Sequence, residues 1–196
     1  MLLRLLIVFF LFSFANPSLI HYQIKKDSKM VLKGKTSVKD FNCACDDTFE
    51  NAQLIAHINN STKQIDFDKA NFNVKIRSLD CNNKFINNDI ATSLKAEKYP
   101  FINVEMLTAI PNHPEQELQL NKAYKYCIKT LISISGKTKP QTLNVTLKKL
   151  NAKNFTIHAT KAISMNDYEI QPKSPIKFIK IKDEVNIEFN LNVEIQ

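Results

Sequence analysis

The chain has only two glycines in 196 residues, Gly34 and Gly136, and that scarcity removes whole classes of function. A dinucleotide-binding turn needs three glycines in close succession, so no such fingerprint can be built here. Each glycine opens a Gly-Lys-Thr triplet, Gly34-Lys35-Thr36 and Gly136-Lys137-Thr138, which echoes the end of a phosphate-binding loop. That loop requires another glycine five residues earlier, where this chain carries Lys29 and Leu131. Histidine is almost as sparse. His21, His57, His113 and His158 stand far apart with no ligand spacing and are expected on the surface or in loops. No Gly-x-Ser-x-Gly elbow occurs. Asp89 and Glu105 fall on polar faces, where carboxylates are ordinarily solvated. With no constellation that assembles acid, base and nucleophile, no enzyme, cofactor or metal site is expected. A single-strand nucleic-acid surface would interleave exposed rings with basic residues, but the aromatics here follow the apolar phase, so no nucleic-acid partner is expected.

Long hydrophobic runs are also missing, with one exception at the start. Arg4 precedes an apolar run from Leu5 to Phe14, broken only by Ser13, and Ser13-Phe14-Ala15 has the small-x-small form of a cleavage site. The run is too short to span a bilayer comfortably, so residues 1–15 are expected to be a cleaved signal peptide. No cysteine lies near the cleavage site to carry a lipid anchor. The product is expected to be periplasmic or secreted, as one domain over residues 16–196, a length that allows a sizeable core. The formal charge of +8 is spread along the sequence, which reads as a lysine-rich solvated surface rather than a binding patch.

What the chain has in abundance is alternation. Phe72, Val74 and Ile76 alternate with polar residues, as do Ile102, Val104 and Met106. Tyr126, Ile128, Ile132 and Ile134 share a face with Thr130, and Leu143, Val145 and Leu147 follow in the next segment. Phe155, Ile157, Ala159 and Ile163 continue the pattern, and from Val185 to Ile195 every second residue is apolar. This is the period of half-buried strands. Ile20–Ile24 and Ala52–Ile58 add shorter strands, while Met30–Cys45 reads as one long strand or two kinked ones, with Gly34 as a bend or bulge.

One segment breaks the pattern. Asp80, Asn82 and Asn83 can cap exposed amides, and Phe85, Ile90 and Leu94 follow at near-helical spacing, which predicts a short helix over about residues 82–96. Tyr99-Pro100 ends it. Lid, plug and packing block are all open roles for such a helix. About eight antiparallel segments and one short helix make an all-β fold, a closed barrel or a sandwich. A barrel of roughly eight strands is just filled by side chains or just holds one small ligand. Export permits disulfides among Cys43, Cys45, Cys81 and Cys127, with three pairings open. Cys81 and Cys127 fall on the outward phase, so a bond they make is expected to staple the outside.

The order of these parts resembles the YceI-like family of exported polyisoprenoid-binding proteins. The resemblance rests on Ser78-Leu79-Asp80 followed by Asn88-Asp89 and Leu94-Lys95-Ala96, and on the strand entry Lys98-Tyr99-Pro100-Phe101-Ile102. It continues through Leu131-Ile132-Ser133-Ile134-Ser135-Gly136-Lys137-Thr138-Lys139 and the final strand from Asp183-Glu184-Val185-Asn186-Ile187. Three features depart from the family pattern. Lys137 replaces a small apolar residue, Asn88 stands where an arginine usually precedes the helix aspartate, and the four cysteines are not a family-wide set. The resemblance implies a lipocalin-like barrel of about eight antiparallel strands that sequesters or carries a long isoprenoid or similar amphiphile, with its head near the mouth. It implies a lipid partner, no catalysis, and a transient contact with the membrane surface. The residues expected to line that interior are Phe72, Val74, Ile76, Phe85, Ile90, Leu94, Val104, Met106, Tyr126, Ile128, Ile132, Ile134, Phe155, Ile157, Ile187 and Phe189. The alternative is an extracytoplasmic stress or interaction protein with a packed barrel that docks a partner through its outer face.

Overall fold

A computed structural model of the chain describes residues 18–45, 53–114, 117–172 and 180–196. The expected signal peptide, residues 1–15, lies outside them. The described strands are β1 (Ser18–Ile24), β2 (Lys29–Thr36), β3 (Phe41–Cys45), β4 (Gln53–Ile58), β5 (Ile65–Lys75) and β6 (Leu79–Asp80), followed by helix α1 (Lys84–Ser93). The remaining strands are β7 (Phe101–Pro111), β8 (Ala123–Ile134), β9 (Lys137–Lys149), β10 (Asn154–Ser164) and β11 (Ile181–Ile195). They form one mostly antiparallel sheet that closes on itself, because β11 pairs with β10 on one edge and with both β1 and β2 on the other.

The sheet has eight wall positions, since three of them are shared by two strands each. β1 and β2 lie end to end along β11, β4 and β3 pair with them in turn, and β5 and β6 complete the circuit. The break between β1 and β2 is filled by Ser28, which is buried. Its hydroxyl donates to the Asn192 carbonyl (3.3 Å) and accepts from the Asn192 amide (2.9 Å). A break that left those backbone groups unpaired would cost about as much as a lost hydrogen bond.

Met30–Cys45 is neither one strand nor two kinked ones. It is a hairpin, with the turn at residues 37–40 and Gly34 paired squarely opposite Phe41. Gly34 is no bend. Its missing side chain makes room for the Phe41 ring, because a Cβ there would lie 2.1 Å from the ring's Cζ. The turn itself is built by Thr36, whose hydroxyl donates to the Lys39 carbonyl (2.8 Å) and accepts from the Val38 and Lys39 amides.

The stretch from β5 into α1 sets up the rest. Ala70, Phe72, Val74 and Ile76 are buried in alternation, then a single 3-10 turn over Ile76–Ser78 shifts the phase by one residue. Leu79 is buried after it and Cys81 faces the core, where it bonds Cys43. The expected outside staple is therefore corrected. Cys43 is fully buried, so the disulfide sits on the inner side, and the turn is the physical reason. Cys45 is a buried thiol on the same face as Cys43, and Cys127 is a half-buried thiol on β8.

Asn83 caps α1, accepting from the Phe85 (2.9 Å) and Ile86 (3.3 Å) amides. Asp80 accepts from the Asn82 amide and from Asn87 Nδ2, and Asn87 Oδ1 accepts from the Cys81 amide (2.8 Å). The helix ends at Ser93, three residues earlier than expected. Lys95 takes a left-handed conformation (φ 54°), with Lys95 N donating to Thr92 O and Ala96 N to Ala91 O. This paired closure normally uses glycine. A chain with two glycines hands that role to a lysine.

Two outcomes follow. The disulfide closes a loop of 38 residues, so C43A/C81A should lose roughly 2–4 kcal/mol of unfolding free energy in urea melts against the oxidised protein; an unchanged midpoint would contradict a structural role. Hydrogen bonds from Asn87 and the Asn82 amide hold the Asp80 carboxyl below its ordinary value of 3.8. A carboxyl lowered on folding stabilises the native state above its unfolded value, and that contribution drains away as pH falls through the folded one. The stability gap between wild type and Asp80→Ala should thus be full at neutral pH and narrow below about pH 3.8. A gap independent of pH would rule the clamp out.

Candidate functional site

The barrel is filled at one end and hollow at the other. In the filled part Phe72 and Phe189 meet edge to face with centroids 5.6 Å apart, among Val74, Val104, Ile128 and Ile132, all buried. The hollow part lies beneath α1, where a cavity of about 550 Å³ opens to solvent. Its floor and walls are Leu32 of β2, Ile102 of β7, Ile134 of β8, Ile163 of β10, and Val185 and Ile187 of β11. Helix α1 supplies the wall opposite through Phe85, Ile86, Asp89, Ile90 and Ser93, with Leu94 at its end.

A third side comes from the segment after β10. Met165 N donates to Asp183 O, Asn166 N donates to the Asp183 carboxylate (2.8 Å), and Glu169 adopts a left-handed conformation. That geometry turns Met165 and Ile170 to the cavity and buries Tyr168 completely. Burial pushes the Tyr168 phenol up, although Gln141 donates to its oxygen (3.4 Å). Beside it Lys137 holds the Glu169 carboxyl below its ordinary range, at 2.7 Å.

The mouth is polar at its edge and apolar at its tips. Val38 and Phe85 are 73% and 77% exposed, and Thr36, Lys39, Asp40, Asn83, Asp89 and Ser93 complete the lining. Sixteen of the twenty-two described lining residues are apolar, so the site has the make-up of a ligand pocket in which few polar groups serve orientation. Its volume falls in the usual range of about 300–1,000 Å³.

Of the sixteen residues expected to line an interior, the structure brings Phe85, Ile90, Leu94, Ile134 and Ile187 to the cavity. The other eleven are Phe72, Val74, Ile76, Val104, Met106, Tyr126, Ile128, Ile132, Phe155, Ile157 and Phe189; they pack in the core and line no part of it. Alternation reports which face a residue shows, not how far along the barrel it sits. Ile102, Ile163 and Val185 belong to the alternating sets and reach the cavity. Val38, Phe41, Met165, Ile170, Pro172 and Ile181 come from turns and strand ends, where no period marks them.

A second, smaller hollow of about 230 Å³ lies on another side of α1, lined by Arg77, Asn88, Thr92, Lys95 and Glu97 among others. An Arg77–Glu97 ion pair belongs to it, and both side chains are more than half exposed, so the pair contributes little. Asn88 lines this hollow while Asp89 lines the main cavity.

Solved structures share this architecture. A polyisoprenoid binding domain from Saccharophagus degradans, implicated in plant cell wall breakdown, matches with a TM-score of 0.65 at 12% identity, covering 89% of this chain and 98% of that one. Burkholderia cenocepacia BcnA matches with a TM-score of 0.63 at 18% identity, covering 84% and 95%. A Campylobacter jejuni YceI protein matches with a TM-score of 0.54 at 17% identity, covering 75% and 82%. No curated protein matches the chain. The model of the YceI-like domain matches residues 22–193, and the chain therefore belongs to the YceI-like family.

Proposed function

We propose that this chain is an exported lipid-binding protein that sequesters or carries a long-chain isoprenoid or similar amphiphile in the cavity beneath α1. The observation that carries the reading is the cavity itself, a space of about 550 Å³ walled by isoleucine, leucine, valine, phenylalanine and methionine. Each CH₂ withdrawn from water into such a space contributes about 0.8 kcal/mol, so a long apolar chain binds without polar anchors. The match in fold to a polyisoprenoid binding domain supports the same reading. So does the sequence of residues 1–15, whose positive residue, apolar run and cleavage site fit export to a periplasm or beyond.

The cavity also bounds the ligand's length. An apolar cavity of about 150 Å³ takes up one benzene, so about 550 Å³ has room for roughly twenty carbons by the same measure. A longer chain would emerge between Val38 and Phe85, whose exposed side chains offer apolar contact to a membrane surface while the ligand transfers. The role we propose is binding, on the strength of an apolar lining among the described residues.

Two neighbouring substitutions on β8 test this. Ile134 lines the cavity and Ile132 does not, though both are buried on the same face. Ile134→Trp should stay folded and lose displacement of a fluorescent prenyl probe by at least about tenfold, a change of 1.4 kcal/mol. Ile132→Trp should instead cost roughly 1–3 kcal/mol of stability by overpacking, read from urea melts. Unaltered probe binding in a folded Ile134→Trp protein would place the ligand elsewhere.

A further inference from the structure

Three of the four cysteines lie together where the chain enters α1, and the bond between two of them leaves the third within reach. β3 and β6 form an antiparallel ladder of two pairs, Ala44 with Asp80 and Cys45 with Leu79. One step further, that register sets Cys43 opposite Cys81, and these two are bonded. Cys45 follows Cys43 by two residues on the same buried face of β3, which makes it the diagonal neighbour of Cys81. Diagonal neighbours in such a ladder stand about 7–8 Å apart, and a disulfide spans Cα atoms up to about 6.8 Å apart. A shift of roughly 1 Å therefore separates one bonding arrangement from the other.

We propose that Cys43-Ala44-Cys45 is a two-position latch for α1, in which Cys81 bonds either Cys43 or Cys45. The step is thiol–disulfide exchange. The Cys45 thiolate attacks Cys81 Sγ, the Cys45–Cys81 bond forms as the Cys43–Cys81 bond breaks, and Cys43 leaves as the thiolate and takes up the proton that Cys45 gave up. One disulfide and one thiol stand on each side, so no oxidant or reductant is consumed. The ladder between β3 and β6 is only two pairs long, and so short a ladder opens at little cost. Cys81 N donates to Asn87 Oδ1 (2.8 Å), so a move of Cys81 is passed to the helix. The exit of α1 is held without sulfur, by the Ser135 hydroxyl on the Leu94 carbonyl. Because β3 runs away from the turn at residues 37–40, exchange draws the entry of α1 away from that turn, while its exit stays in place. Asn83 and Phe85 at that entry line the cavity across from Val38 and Asp40, so the latch sets the width of the mouth. The inference does not depend on what the cavity holds.

A buried cysteine is otherwise a small apolar side chain, and two measurements separate that from a latch. The first takes oxidised Cys43→Ser, with Cys45→Ser as the control, and alkylates its thiols under denaturing conditions before mass spectrometry. The latch predicts that Cys45 and Cys81 are both protected and linked to each other, and that the urea midpoint lies closer to wild type than to C43A/C81A. Cys45 and Cys81 both found as thiols, or a midpoint equal to that of the double variant, overturns the inference. The second uses the wild type, so it decides even where Cys43→Ser does not fold. The folded protein is held in a glutathione buffer, quenched with acid and digested, and the linked peptides are fragmented between Cys43 and Cys45. Both the Cys43–Cys81 and the Cys45–Cys81 forms should be present. A Cys43–Cys81 bond alone at equilibrium overturns the inference, and the lipid-binding reading stands either way.

Discussion

Helix α1 is fastened at both ends, and the cavity exists because of it. At the entry, Asp80 and Asn87 tie the first turns to the backbone around Cys81, and the Cys43–Cys81 disulfide joins that point to β3. At the exit, the Leu94 carbonyl accepts from the buried Ser135 hydroxyl (2.9 Å), and Tyr99 lies over Gly136, where a Cβ would come within 2.5 Å of the ring. Between these fastenings Ile86, Asp89, Ile90 and Ser93 border open space. Collapse of the helix onto the barrel would bury more apolar surface, and the two anchors hold it away.

The barrel wall makes those anchors possible. β11 runs the full height, and its second edge is shared by β1 and β2 with Ser28 at the break. One part of the interior is packed by Phe72, Phe189 and their neighbours, with Phe72 paired opposite Val104. The other is bordered, among the described residues, by the turns at residues 37–40 and 165–172. The alternatives of filled and hollow barrel thus both describe this molecule, at different depths.

Much of this was legible in the sequence. The strands from Phe72 onward follow from period-two alternation, and the helix follows from Asn83 and the spacing of Phe85, Ile90 and Leu94. The disulfide was not, because the turn at Ile76–Ser78 shifts the inward phase by one residue and leaves no mark in composition. The left-handed closure at Lys95 was hidden for a similar reason: the residue that ordinarily signals it, glycine, is nearly absent from this chain. Five of the sixteen candidate lining residues reach the cavity because alternation resolves face and not depth. The turn residues Val38 and Met165 carry no period at all, and only the closing of the barrel brings them to one rim.

The central claim is that the space beneath α1 holds one apolar chain. Native mass spectrometry of the protein purified under mild conditions from its own cells tests it most directly. The account predicts a single adduct of stoichiometry one, removed by organic extraction and replaced by one equivalent of a twenty-carbon prenyl alcohol. A protein that carries no adduct and takes up no prenyl compound at saturating concentration would contradict it.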